Sequence, residues 1–187
     1  MSDKHVTVPL SEARIRDLKC GDRVLISGTI YTARDAAHIR ILSGMDSGVG
    51  APFPLRGSII YYAGPSPARP GNISGSFGPT TSCRMDKMTP RLLDNGLSGM
   101  IGKGVRSPEV IRSMIRNGAV YFAAIGGAGA LIADSVRKIE VIAYEELGAE
   151  AVRRIEVENF PAIVAIDCRG NSIYSRSDGE DNCNGGE

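Results

Sequence analysis

The sequence has no tryptophan, only two histidines and no excess of charge of either sign. Its 22 Lys and Arg residues balance 21 Asp and Glu residues, which leaves a net charge of +1 over 187 residues. So small a charge provides no strong field to hold a nucleic-acid backbone or an anionic membrane. No apolar run reaches the roughly 18 residues of a membrane-spanning helix. The amino terminus leads into no apolar segment typical of a signal peptide, so we expect a cytoplasmic protein.

Cysteine is also scarce. The four cysteines stand at positions 20, 83, 168 and 183, where none forms a C-x-x-C pair and no histidine lies near them in sequence. Zinc sites usually show such closely spaced ligands, so no metal site is predicted on this chain. A disulfide framework is not expected either, because the chain is too long and too poor in cysteine for a stapled small domain.

Glycine, in contrast, is abundant, with 23 residues that imply many tight turns. The length predicts one domain over residues 1–174, followed by a frayed tail over 175–187 that has almost no apolar residues. Alternation of strand and helix between residues 99 and 143 predicts a parallel sheet with helical crossovers. Hairpin-like strands at both ends predict an added antiparallel layer. The expected class is therefore α/β, with a mixed pair of sheets.

The pattern of apolar, glycine and proline residues also predicts the individual elements. Strands are expected at 6–10, 23–32 (broken at Gly28), 58–63, 99–101, 119–125, 138–143, 155–159, 162–167 and 172–174. Helices are expected at 11–18, 34–42, 89–95, 107–118, 126–134 and 149–154, and a loop at 43–57. Residues 64–83 form a second long loop, which in a compact domain is usually functional or disordered.

Two segments stand out as candidate sites. Arg34 and Asp35 lie in A-R-D-A-A-H, where a strand passes into a helix; the guanidinium can bind a carboxylate there, although a solvated Arg beside a helix-start Asp is the plainer interpretation. G-P-T-T-S-C-R-M-D at 78–86 contains Thr80 and Arg84, which face the same side if the turn is helical. Pro79 predicts a helix start whose free N–H groups attract an anion, against the alternative of an ordinary capped helix.

Two glycine-rich segments are less specific. Lys103 stands between two glycines after a short apolar strand and is free to reach a ligand, but the spacing is not that of a phosphate-binding loop, and a surface lysine is the simpler interpretation. Gly126 and Gly127 follow a strand without completing the dinucleotide-binding fingerprint. They indicate close packing of strand and helix, with an anion-binding nest as the alternative.

Four segments together resemble the C-terminal domain of class I fumarate hydratases and its relative, the β subunit of L-tartrate dehydratase. The segments are T-A-R-D-A-A-H at 32–38, G-P-T-T-S-C-R-M-D at 78–86, M-I-G-K-G at 100–104 and Y-F-A-A-I-G-G-A-G-A at 121–130, and the resemblance covers about residues 5–174. It implies a swivelling β/β/α three-layer domain. It also implies a 4Fe-4S cluster held by cysteines of a separate α subunit, for which this chain would be the β subunit, in an α2β2 assembly.

The reaction implied by the resemblance is reversible addition of water to an unsaturated dicarboxylate. Fumarate would give L-malate, and the alternative is loss of water from tartrate to give oxaloacetate. In such chemistry an iron of the cluster acts as a Lewis acid on the departing hydroxyl, while cationic side chains fix both carboxylates of the substrate. A non-catalytic module that binds anions remains as an alternative of a different class.

The resemblance also assigns roles to individual residues. Thr80 would be the base that removes a proton from the substrate carbon, with its alkoxide stabilised by Arg84 and by the helix start that Pro79 predicts. Arg34, Arg84 and Lys103 would bind the substrate carboxylates. Asp35, His38, Thr81 and Asp86 would orient these groups. Cys83 lies inside the motif and receives no role.

Overall fold

The computed structural model describes residues 3–66, 71, 73, 75–124 and 129–176. The strands there are β1 (Lys4–Val8), β2 (Arg23–Thr32), β3 (Ile59–Tyr61), β4 (Gly99–Gly102), β5 (Val120–Ala124), β6 (Val136–Ala143) and β7 (Val152–Ile166). The helices are α1 (Glu12–Asp17), α2 (Asp35–Asp46), α3 (Thr89–Asp94), α4 (Pro108–Asn117) and α5 (Gly129–Ser135). Short 3₁₀ turns span Ser82–Met85, Glu145–Glu150 and Ile173–Arg176.

One sheet contains all seven described strands, in the order β1-β2-β3-β4-β5-β7-β6. Strands β1 to β5 pair in parallel, and β7 runs antiparallel to β2, β5 and β6. Because β7 pairs with both β5 and β2, the sheet closes on itself. The α/β class and the mixed sheet are confirmed, whereas the predicted pair of sheets is wrong. The swivelling three-layer arrangement and the domain boundary at residue 174 stay predictions.

Gly28 kinks β2 without ending it. Its φ of +118° suits glycine, and an added Cβ would lie 2.6 Å from the carbonyl oxygen of Val8 on β1. The pairing of β2 with β7 changes register between Ile26 and Gly28 at the same point. The predicted break is therefore a bulge, where a side chain would collide with the neighbouring strand.

The apolar residues form two buried clusters. One contains Ile26, Tyr61 and Phe160, with the Tyr61 ring edge-on to Phe160. The other lies beneath the helices and contains Ile41 of α2 and Met114 of α4. Helix α4 begins and ends as predicted, since the Ser107 side chain accepts from the N–H of Val110 and Gly118 ends the helix in the left-handed region.

Several predicted elements differ near the carboxyl end. The helical turn expected at 149–154 is wrong, because Val152 begins β7, which pairs with β2 and β6 along its first half. Strand pairing on both edges outweighs the helix propensity of the Ala, Glu and Arg residues there. The two strands expected at 155–159 and 162–167 are one strand that continues through Asn159, which has a φ of +54°. The strand expected at 172–174 is wrong as well, because a 3₁₀ turn begins at Ile173.

Other boundaries move by smaller amounts. Helix α2 continues to Asp46, four residues past its predicted end, and shortens the loop expected at 43–57. Residues 67–70, 72 and 74 of the second long loop, the Gly126-Gly127 pair and most of the predicted tail lie outside the described residues. Across the described ranges, no helix is both long and apolar enough to cross a bilayer.

Candidate functional site

The predicted site residues meet at the carboxyl ends of three neighbouring parallel strands. Arg34 follows β2 by two residues, the 79–82 segment pairs beside the end of β3, and Lys103 directly follows β4. Since side chains that follow parallel strands emerge at one edge of a sheet, this edge is a common place for ligand sites in α/β folds. The fold therefore gathers residues that are far apart in sequence.

The segment containing Thr80 is held in extended backbone between two strands. Pro79 pairs with Ala63, Thr81 pairs with Lys103, and the Thr80 N–H donates to the Tyr62 carbonyl at 2.6 Å. The Ser82 N–H likewise donates to the Lys103 carbonyl at 3.0 Å. Thr80 is half-buried, whereas Thr81 and Lys103 are exposed.

This arrangement corrects the helix start predicted at Pro79. The turn that follows is a four-residue 3₁₀ helix that begins at Ser82. The backbone donors of Thr80 and Ser82 are already used in the pairing above, so they are not free for an anion. A stretch this short also lacks the aligned peptide dipoles of an α-helix. The helix start that was expected to stabilise a Thr80 alkoxide is therefore not present at Pro79.

Arg84 and Asp35 connect the 3₁₀ turn to the start of α2. The Arg84 Nε donates to Asp35 Oδ1 at 2.9 Å, and the Arg84 side chain is half-exposed. This bond uses one of five guanidinium N–H donors, which leaves capacity for a carboxylate. Thr80 and Arg84 were predicted to share a helix face. In the structure, the Arg84 side chain instead bonds to Asp35 at the start of α2.

His38 lies fully buried in α2, one turn from Arg34. Its Nδ1 lies 2.8 Å from the Arg34 carbonyl oxygen. A carbonyl only accepts, so Nδ1 carries the proton and Nε2 is left as an acceptor. Burial lowers the pKa of His38 to about 4, because the charged imidazolium loses its hydration. His38 is consequently a neutral imidazole at physiological pH.

Three buried polar atoms in this turn have no hydrogen-bond partner among the described residues. They are Arg34 Nε, Asp35 Oδ2 and His38 Nε2. Buried polar groups in proteins are nearly always hydrogen-bonded, and unpaired ones cluster where ligands or waters bind. The one donor and two acceptors are therefore each a candidate contact for a ligand or a water.

Glu150 reaches the same turn, and sequence analysis missed it. Its Oε2 accepts from the Ala36 N–H at 3.0 Å, and its Oε1 lies 3.3 Å from Arg34 Nη2. Residues 34 and 150 stand on separate elements, and the helical turn predicted at 149–154 gave no reason to bring them together. The pairing of β7 with β2, in which Arg153 lies opposite Thr32, brings Glu150 close to the start of α2.

Asp86 directly follows the Ser82–Met85 turn and forms a buried ion pair with Arg106. Its Oδ1 accepts from Arg106 Nε at 2.7 Å, and its Oδ2 accepts from the Ser107 N–H at 2.6 Å. Arg106 also donates to Thr89 at 2.9 Å and lies against the ring of Tyr62. Sequence analysis missed Arg106, because an isolated Arg in a polar stretch carries no signal of burial.

Ser82 lies in the G-P-T-T-S-C-R-M-D segment, but sequence analysis gave it no individual role. Its hydroxyl lies 2.9 Å from the Tyr121 hydroxyl, which in turn donates to the Gly104 carbonyl at 2.9 Å. Ser82 belongs to the 79–82 segment, Gly104 follows the end of β4, and Tyr121 lies on the neighbouring strand β5. This chain of hydrogen bonds fixes the segment that carries Thr80 to the strand end that carries Lys103.

Comparison with known proteins decides the family. The family model described as the fumarase C-terminus matches residues 2–177. This chain belongs to the fumarase C-terminus family. It is 42% identical over 171 residues to the putative L(+)-tartrate dehydratase subunit beta of Methanocaldococcus jannaschii, with 88% of each chain covered.

Members of the fumarase C-terminus family also include much longer proteins. The chain is 43% identical over 159 residues to fumarate hydratase 2 of Leishmania major, with 84% of this chain and 28% of that protein covered. It is 39% identical over 172 residues to the aerobic class I fumarate hydratase of Salmonella typhimurium, with 90% of this chain and 30% of that protein covered. The chain thus spans less than a third of these fumarate hydratases.

The described cysteines of this fumarase C-terminus chain do not fit an iron–sulfur cluster. Cys20 precedes β2 and Cys168 follows the antiparallel β7, which puts both at the amino edge of the parallel strands, whereas Cys83 lies at the carboxyl edge. Burial and the neighbouring Asp167 and Asp22 raise the pKa of the Cys20 thiol, which disfavours the thiolate that a metal requires. Within the described ranges, no group of three or more His, Cys, Asp or Glu side chains could hold a metal ion.

Proposed function

We propose that this chain provides the carboxylate-binding and proton-transfer half of a hydro-lyase active site, which acts on fumarate and L-malate. One observation carries the proposal. Arg34, Arg84 and Lys103 lie at the same strand edge as Thr80, where Arg84 bonds to Asp35 and Lys103 pairs through its backbone with Thr81. Two carboxylates on one small substrate require such cationic groups to fix the reacting carbons beside a base.

In the proposed reaction, Arg34, Arg84 and Lys103 bind the carboxylates of malate. Oγ1 of Thr80, as the alkoxide, takes the proton from the carbon next to the hydroxyl-bearing carbon, and the electron pair of that C–H bond forms the double bond as hydroxide departs. In the hydration direction the Thr80 hydroxyl returns this proton. A threonine is a weak base unless cations stabilise its alkoxide, and Arg84 and Lys103 supply that charge here.

The iron–sulfur cluster belongs, in this proposal, to an α subunit that docks on the strand edge. Two observations support this placement: the described cysteines do not fit the cluster, and the relative that this chain covers over 88% of its length is named a subunit beta. The complete site would then form only in the complex, with α2β2 as the proposed assembly and a swivelling β/β/α domain as the proposed arrangement of this subunit.

Tartrate is the second candidate substrate. The name of the Methanocaldococcus jannaschii relative favours it, since that protein is a putative tartrate dehydratase subunit. Tartrate carries two carboxylates like malate and one further hydroxyl, so the same three cations suit it. A non-catalytic anion-binding module is the remaining alternative, and the presence of Thr80 at the strand edge that also carries Arg34, Arg84 and Lys103 argues against it.

The test is turnover by the tagged chain purified without oxygen from its native cells, together with its partner. Thr80→Ala should abolish fumarate hydration while dicarboxylate binding is retained. Thr7→Ala is the matched control, because Thr7 is an exposed threonine on β1 that pairs with Ser27, five residues before the end of β2. Full turnover by Thr80→Ala would contradict the assignment of Thr80 as the base. A complex inactive on fumarate but active on tartrate would assign the second substrate, and a chain isolated alone and inactive would leave the anion-binding module.

A further inference from the structure

The Glu150 carboxylate contacts both a backbone N–H group and the Arg34 guanidinium at the start of α2. One oxygen accepts from the Ala36 N–H at 3.0 Å, and the other lies 3.3 Å from Arg34 Nη2. The Arg34 and Glu150 side chains are both about three-quarters shielded, at 23% and 24% exposure, so solvent screens their attraction less than that of a surface pair. Glu150 thereby ties the orientation of Arg34 to the backbone of α2.

The turn that carries Glu150 is itself fixed in place. Arg153 donates to two carbonyls of this turn and to the one just after it: Gly148 at 2.7 Å, Ala149 at 3.0 Å and Ala151 at 3.0 Å. The Ala149 carbonyl packs so closely on Gly64 that a Cβ there would lie 2.5 Å away. Such an anchored turn offers Glu150 little freedom to follow a moving Arg34. Glu150 instead holds Arg34 in the position that the fixed turn sets.

The contact with Glu150 leaves the rest of the Arg34 guanidinium for a ligand. Glu150 engages Nη2, whereas Nε is buried and has no partner among the described residues. An Arg side chain carries large rotamer freedom, and a fixed guanidinium loses less entropy when it binds a carboxylate. Glu150 therefore favours substrate binding, because it orients the Arg34 guanidinium and leaves other guanidinium N–H donors to bind the substrate carboxylate.

We propose that Glu150 is a positioning residue that holds the Arg34 guanidinium ready for a substrate carboxylate. This inference rests on the proposed function, in which Arg34 binds that carboxylate. Glu150 does not touch the substrate. It acts through Arg34, so its removal changes substrate affinity and leaves the proton transfer at Thr80 intact.

Glu150→Gln is the informative variant. The amide oxygen can still accept from the Ala36 N–H, but the amide then directs an N–H₂ donor at the guanidinium, which is repelled. In the purified complex we expect KM for the dicarboxylate to rise about tenfold, with kcat changed less than about twofold. Glu146→Gln is the matched control, because Glu146 lies in the same turn and pairs with Arg40 of α2 at 2.6 Å. It should leave both constants unchanged.

A second measurement uses the full chain alone and needs no turnover. In the ¹⁵N-labelled chain, the Arg34 Nε–H signal should show slow rotation of the guanidinium in the wild type and in Glu146→Gln, and fast rotation in Glu150→Gln. An unchanged Arg34 signal, or an unchanged KM in an active complex, would overturn the proposal. Absence of turnover in the wild-type complex counts against the proposed function instead, and the Arg34 signal still decides whether Glu150 positions it.

Discussion

Asp86 and Arg106 form a largely buried ion pair, with 2.7 Å between Asp86 Oδ1 and Arg106 Nε. The Arg106 side chain is fully buried, and its guanidinium also lies against the rings of Tyr62 and Tyr121. Asp86 comes directly after the 3₁₀ turn that contains Arg84, and Arg106 leads into α4. The pair therefore joins the segment beneath the candidate site to the helix layer.

Replacing Asp86 by Asn should strongly destabilise the fold. The substitution leaves the Arg106 charge buried without its counter-charge, which costs about 3–5 kcal/mol. Urea unfolding at neutral pH measures the loss. Asp94→Asn is the control, since Asp94 pairs with Arg116 at the surface and should cost less than about 1 kcal/mol. Equal losses for the two variants would contradict the special position of the buried pair.

His38 should make stability depend on pH between about 6.5 and 4. Burial lowers the folded-state pKa to about 4 from an ordinary value of 6.5, so on acidification the unfolded chain takes up the proton first. Stability from His38 is thus complete above pH 6.5 and is lost as the pH falls to 4, a change of about 3 kcal/mol. Unfolding free energies measured across this range should show the effect.

The comparison for His38 is His38→Asn, in which the side-chain amide can donate to the Arg34 carbonyl but does not titrate. Its stability should fall less steeply than that of the wild type between pH 6.5 and 4. If the two profiles run parallel, the buried imidazole is not the group responsible.

Gly102→Ala should disturb the candidate site directly. An added Cβ would lie 2.0 Å from Ser82 Oγ and 2.9 Å from a ring carbon of Tyr62, both buried. Such overpacking costs about 1–3 kcal/mol and must displace the segment that holds Thr80. The Tm of thermal unfolding and the rate of turnover should both fall. Gly78→Ala serves as the control for unfolding, because nothing lies within 4 Å of its Cβ position; an equal loss there would refute the steric argument.

Arg34→Lys should weaken dicarboxylate binding about tenfold or more, because an ammonium is a point charge and cannot bind a carboxylate with a planar pair of donors. Titration calorimetry of the purified complex measures the change in Kd. Arg112→Lys, an exposed position on α4, should bind like the wild type. Wild-type affinity in Arg34→Lys would remove Arg34 from the proposed carboxylate site.

The sequence predicted much of the fold where local chemistry decides it. Ser107, Pro108 and Gly118 mark the ends of α4 through a side-chain cap, a fixed φ and a left-handed residue, all of which act within a few residues. The buried strands β3, β4 and β5 were likewise evident from short apolar runs. Prediction was wrong at 149–154 and at Pro79, where contacts with distant strands outweigh local preference.

For the candidate site as well, the sequence determined one part and the tertiary structure determined another. The motifs by themselves determined which residues carry hydroxyl, guanidinium and ammonium groups, and thus Arg34, Thr80, Arg84 and Lys103. Only the tertiary structure decided that Asp35 meets Arg84, that Glu150 meets Arg34 and that Arg106 lies buried against Asp86. The physical reason is that burial and pairing depend on how strands far apart in sequence align. Glu150 lies beside α2 because β7, which follows Glu150, pairs with β2, which precedes α2.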